Sequence, residues 1–117
     1  MSKNTTPVED EEAKAFAQWL QLSGYKFTHI ANESGLPPHV AMIAAKKKKA
    51  MGVSRGVPDF MVITNKGLVF VEMKRLKGSS TSPEQWEWVN ALNELDGVEA
   101  AIIKGADKAI KYIESFI

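Results

Sequence analysis

The stretch RGVPDFMVITNKGLVFVEMKR, Arg55 to Arg75, sets the architecture of the chain. Two apolar runs flank an Asn-Lys-Gly turn and predict a buried hairpin, yet Asp59, Glu72 and Lys74 stand within those runs. A polar group left unpaired in a dry interior costs about 2–7 kcal/mol, and a charge costs more. Three charges at the ends of two core strands therefore need a function or a set of partners.

Alternation along a strand puts Glu72 and Lys74 on one face with Leu68 and Phe70, and Val69, Val71 and Met73 on the other. Both faces are apolar until the strand's end, so this strand is expected at the centre of a sheet covered on both sides. The turn sets whether Asp59 joins the pair. A two-residue loop at Asn65-Lys66 puts Asp59 opposite Glu72, one at Lys66-Gly67 puts it opposite Lys74, and a three-residue loop puts it on the wrong face opposite Met73. Pro58 fixes its own φ and pushes Val57 toward an extended conformation, which aims Asp59. Carboxylates about 4.5–5.5 Å apart across a strand pair repel unless a cation lies between them. Carboxylate oxygens with a backbone carbonyl and waters suit Mg²⁺ or Mn²⁺. Lys74 would then orient a water or stabilise negative charge at a phosphorus centre. The plain alternative for a Glu-x-Lys pattern is a solvated salt bridge of little energetic weight.

Upstream of the hairpin, Thr6-Pro7 followed by Glu9, Asp10, Glu11 and Glu12 predicts a helix start, with Thr6 as cap, and residues 1–6 form a polar tail. Ala13, Phe16, Ala17 and Leu20 repeat at helical spacing as far as Gly24. A short strand follows over 25–30. Residues 38–51 form a second helix with Val40, Ile43 and Ala44 on one side, beginning near His39 and ending in Lys46, Lys47, Lys48 and Lys49. Beyond the hairpin, Ser82-Pro83-Glu84-Gln85 is a capping box, in which Gln85 bonds back to the Ser82 amide. It opens a helix striped by Trp88, Val89, Leu92 and Leu95. A strand over 98–103 and a last helix marked by Ala109, Ile110, Ile113 and Phe116 complete the order α-β-α-β-β-α-β-α, a small sheet flanked by helices.

The chain has 117 residues, 44% of them hydrophobic, enough for one domain spanning 1–117. With no cysteine it has no disulfide, thiol nucleophile or cysteine-ligated metal, which fits a reducing cytoplasm. No apolar run reaches the roughly 18–20 residues that span a bilayer, so no membrane partner is expected. The net charge of +1 conceals a segregation: residues 46–77 carry nine Lys and Arg against Asp59 and Glu72, net +7, while 1–45 and 78–117 carry −2 and −4. A basic field centred on the hairpin attracts a polyanion. The Lys46 to Lys49 run reads either as a helix end favoured by the dipole or as phosphate contacts extended by Arg55, Arg75 and Lys77. His29 has no second His or Cys at ligand spacing and is expected to be structural or close to the polyanion.

Pro58-Asp59, a spacer, then Glu72-Met73-Lys74 resembles the PD-(D/E)XK nuclease pattern. The wider set, GVPDFMVI, GLVFVEMKRLKGSSTSPEQWEWVNAL and WLQLSGYKFTHIANE, resembles the virus-type replication-repair nuclease domain, VRR-NUC, over nearly the whole chain. The resemblance implies a restriction-endonuclease-like α/β sandwich and a metal-dependent DNA nuclease. It further implies similarity to resolvases that act on four-way junctions as homodimers. It makes Asp59 and Glu72 metal ligands, the Met73 carbonyl a further ligand, Lys74 the catalytic lysine and Gln85 an active-site residue. It also implies a glutamate on the first helix: alignment on Trp19-Leu20 favours Glu9, with Glu12 one turn along the same face and Glu11 between them. The family's His-Ile-Pro-Asn segment has Ala31 in place of proline here. A nickase or restriction-like duplex cutter is the first alternative, and a non-catalytic DNA-binding module the second.

Overall fold

The computed structural model describes residues 6–30 and 37–117, with side chains on the first helix described from Asp10 onward. The elements follow the expected order: α1 (Thr6–Leu22), β1 (Lys26–His29), α2 (Pro38–Ala50), β2 (Phe60–Thr64), β3 (Gly67–Lys74), α3 (Pro83–Asn93), β4 (Val98–Lys104) and α4 (Ala106–Glu114). The four strands form one mixed sheet in the order β1-β2-β3-β4. β1–β2 and β2–β3 are antiparallel, and β4 runs parallel to β3 after the α3 crossover. Whether Thr6 follows a cap or serves as one lies outside the described residues.

The hairpin turns through the two-residue loop Asn65-Lys66, with Thr64 facing Gly67 and Phe60 facing Val71. Thr64 Oγ1 fastens the turn, accepting from the Lys66 amide and donating to the Gly67 carbonyl. One further step along this register sets Asp59 opposite Glu72, the first of the three arrangements open to the sequence.

One face of the sheet carries the core. Phe60, Val62, Val69, Val71 and Met73 are fully buried there against Phe16 and Leu20 of α1 and Ala109 and Ile113 of α4. Phe16 meets Phe60 edge-on with ring centres 5.0 Å apart, a geometry that adds about 0.5–1.5 kcal/mol beyond burial. α4 follows Gly105, which has no side chain with which to cap it, and Glu12 supplies the cap from α1: its Oε1 accepts the Ala106 amide at 2.7 Å.

α3 covers part of the opposite face. Val89 is buried beneath it, and the helix reaches the free edge of β4, where the Asn93 side chain accepts from the Ala100 amide and donates to its carbonyl. That pair of bonds occupies edge groups that would otherwise invite a second sheet. The stripe read through Leu95 stops short, because the helix ends at Asn93 and leaves Leu95 exposed. The stripe of α2 needs a larger correction. None of its residues is buried, and Val40, Met42 and Ile43 are exposed. Periodicity identified the helix, but the rest of the described chain does not cover its apolar side.

Candidate active site

The end of the β2–β3 hairpin, the segment before β2 and the first turn of α3 meet at one point. Arg55-Gly56 leads into Pro58-Asp59 by packing on α3. A side chain at Gly56 would put its Cβ 2.6 Å from the Glu84 carbonyl carbon and 2.7 Å from the Gln85 nitrogen, and its φ of +85° also favours glycine. This close approach sets the position of Asp59 relative to Gln85.

Asp59 Oδ2 accepts the Met73 amide at 3.0 Å. The amide and carbonyl of one strand residue point to the same edge, and the Lys74 carbonyl is engaged on the β4 side by the Gly105 amide, so the Met73 carbonyl faces Asp59. Burial pushes the Asp59 carboxyl above the usual carboxylate range; the Met73 amide, a hydrogen bond with Glu72, and the charges of His29 and Lys74 oppose the shift without cancelling it.

Glu72 and Lys74 are the buried charged residues among those described, 5% and 9% exposed. Lys74 Nζ lies 3.7 Å from Glu72 Oε2 and donates to Gln85 Oε1 at 2.9 Å. Gln85 Nε2 donates to Glu72 Oε2 at 3.0 Å. The same Gln85 oxygen accepts the Ser82 amide, and the Gln85 amide donates to Ser82 Oγ, closing the capping box. Cap and site, which stand as alternatives in the sequence, are therefore one structure.

The structure thus brings together Asp59, Glu72, Met73, Lys74 and Gln85. Glu9 lies in α1, with its side chain outside the described residues. Glu12 is committed to the N-terminus of α4, and Glu11 is exposed. Nothing in the sequence marks this cap except that Gly105 cannot provide one. Among the described residues no group of three or more His, Asp or Glu side chains converges as a metal cage. What is present is a hard-donor pair, two desolvated carboxylates in contact with a backbone carbonyl beside them. That donor set fits a divalent cation that retains part of its water.

His29 is exposed and stacks on Phe60, with ring centres 4.5 Å apart, on the strand bordering Asp59. His39 is exposed in the first turn of α2. Lys46, Lys47 and Lys49 are exposed and Lys48 is half-buried in the last turns of α2, and Arg55 and Lys77 are also exposed. Arg75 is turned onto its own loop, donating through Nε to the Lys77 carbonyl and through a terminal nitrogen to that of Gly78.

The family model for the VRR-NUC domain matches residues 8–107. The chain belongs to the VRR-NUC family. A solved structure of a VRR_NUC domain protein is 26% identical, superposes with a TM-score of 0.74, and covers 99% of this chain and 91% of its own. No match was found among the curated proteins. VRR-NUC is a nuclease-type family, which makes DNA the substrate class. No described helix is long and apolar enough to cross a membrane.

Proposed function

We propose that this VRR-NUC chain is a PD-(D/E)XK endonuclease, dependent on Mg²⁺ or Mn²⁺, that hydrolyses phosphodiesters in branched DNA, four-way junctions above all, as a homodimer. The observation that carries the reading is the closed network of Asp59, Glu72, Lys74 and Gln85 at the mouth of the hairpin. Asp59, Glu72 and the Met73 carbonyl would hold the metal, which when bound supplies Lewis acidity and a water acidified toward neutral pH.

The chain's own groups do the rest. An ammonium carries three donors, and Lys74 gives one to Gln85 Oε1 while its charge faces Glu72 at 3.7 Å. Donors remain for a phosphate oxygen or the attacking water, at a charge whose direction is fixed before substrate arrives. Gln85 presents its amide nitrogen to Glu72 and its oxygen to Lys74, so one side chain sets the separation of acid and cation. Pro58 and the Gly56 contact keep Asp59 in register with both.

Two cuts placed symmetrically in a junction need two centres related by a twofold axis. The apolar stripe of α4 is used in the core, whereas that of α2 is open, which favours α2 as the dimer surface. Incubating the purified protein with a four-way junction and a linear duplex, each with Mg²⁺, Mn²⁺ or EDTA, tests the proposal. Metal-dependent cleavage of the junction in preference to the duplex is expected. Equal cutting of both would make it a duplex endonuclease, and no cutting with either metal would overturn the reading.

A further inference from the structure

Trp86 follows Gln85 directly, and it is 50% exposed. Its position comes from the geometry of α3. Residues 86 and 93 are seven apart and lie on the same side of the helix. Asn93 bonds the outer edge of β4 at Ala100, so that side is the β4 side. Gln85, in the first turn, reaches Glu72, which is in register with Ile102. The helix therefore runs back along the strand, and Trp86 stands over the β4 edge level with its C-terminal end, where Ile102 and Lys104 lie.

Lys104 is the register partner of Lys74 and shares its face of the sheet. Strands lie about 4.8 Å apart, so two like charges are neighbours there. Lys74 is paired and buried. Lys104 is exposed, as is Lys108 in the shallow hollow that both line with Ile102, Ile103 and Tyr112, and neither forms an ion pair among the described residues. An exposed indole at the edge of β4, level with the exposed Lys104 and one residue from the acid-lysine centre, is the combination that holds an unpaired nucleotide: the ring stacks on a base and the ammonium meets its phosphate.

We propose that the β4 edge at Trp86 and Lys104 receives an unstacked nucleotide adjoining the scissile phosphate, with Trp86 as the platform for the base and Lys104 as the phosphate contact. The site rests on the nuclease reading above and deepens it: stacking is interrupted at a branch point, so a base leaves the stack there at lower cost than in a continuous duplex. Discrimination would then come from the platform, not from the charges, which serve any DNA.

Binding tests this without cleavage. In an Asp59→Asn background, fluorescence anisotropy compares a continuous duplex with a branched DNA carrying unpaired nucleotides at the branch. Adding Trp86→Ala is expected to weaken the branched complex about tenfold and the duplex complex less than about twofold, with Trp86→Phe restoring most of the loss. Lys104→Ala is expected to weaken both and to lower the salt slope by about 0.7–0.9. Unchanged affinity of Trp86→Ala for the branched DNA would overturn the proposal. So would a loss explained by a smaller sedimenting mass, which would make this edge a protein interface. Failure of the wild-type protein to cleave would refute the nuclease reading alone, because the binding comparison does not depend on turnover.

Discussion

The Gln85 side chain donates to Glu72 Oε2 at 3.0 Å while its own oxygen accepts the Ser82 amide, so a residue that closes the capping box of α3 also fixes an acid at the end of β3. Helix capping and site geometry share one amide, and they can be separated by choosing which bond to cut. Ser82→Ala removes the hydroxyl acceptor of the Gln85 amide at a cost of about 1 kcal/mol of stability and leaves the Glu72 and Lys74 bonds in place. Gln85→Ala keeps the backbone bond to Ser82 Oγ, removes the Glu72 and Lys74 bonds together with the acceptor of the Ser82 amide, and is expected to lower kcat by about 10–100-fold. Chemical denaturation beside single-turnover cleavage would show the split, and equal activity losses in the two variants would refute it.

Asp59 links stability to pH and to metal. Its proton is held more tightly in the folded chain than in the unfolded one, where the carboxyl titrates near 3.8. The stabilisation that follows is complete below that pH and is lost as pH rises through the higher folded value. Asp59→Asn keeps an acceptor for the Met73 amide and removes the buried charge. Its melting temperature without metal is therefore expected to exceed that of the wild type at pH 7, with the gap closing as pH falls below about 4. Adding Mg²⁺ should raise the wild-type melting temperature and leave the variant unmoved, and cleavage by the variant should be abolished.

The Lys46 to Lys49 run lies at the C-terminal end of α2, where positive charge is favourable with or without a ligand. Replacing all four lysines with alanine distinguishes the roles. If they touch phosphates, affinity falls alike on every DNA, and the salt slope shrinks by about 0.9 for each duplex phosphate that is no longer neutralised. A slope that does not change would leave them as a solvated helix end.

Ile43 is 58% exposed on α2, so Ile43→Asp opens no cavity in the chain's own core. The folded protein is expected to sediment as a monomer where the wild type is a dimer, with junction resolution lost. Mixing wild type with Asp59→Asn should produce heterodimers that nick one strand. A wild-type monomer resolving junctions at nanomolar concentration would dispose of the dimer.

Much of the centre was legible because its signals are local. Alternation placed Glu72 and Lys74 together, and Pro58 aimed Asp59. The register was not legible, since Asn65-Lys66 and Lys66-Gly67 are both acceptable two-residue turns. It was settled by Thr64, which bonds across Asn65-Lys66, and by Gly67, whose φ is +134° and where a Cβ would lie 2.2 Å from the Gly97 oxygen. Gln85 read as cap or site because each role has its own signature, and nothing in Ser82-Pro83-Glu84-Gln85 says that one amide serves both. Glu12 was hidden by distance: its partner Ala106 is 94 residues away. The side of α2 was hidden for another reason, as helical periodicity marks an apolar stripe without saying whether this chain or another covers it.

The bonds that build the centre join residues 14, 13 and 11 apart, whereas the clasp of Glu12 on Ala106 closes a loop of 94. By loop-closure entropy the longer loop costs about 1.8 kcal/mol more than the shorter ones. The hairpin and α3 can therefore organise early along the folding route, and the two ends of the chain meet late. Contacts absent from the transition state govern the rate of unfolding more than that of folding. Loosening the α1–α4 clasp, as in Glu12→Gln, is then expected to shorten the lifetime of the native chain while leaving the speed of its refolding nearly unchanged.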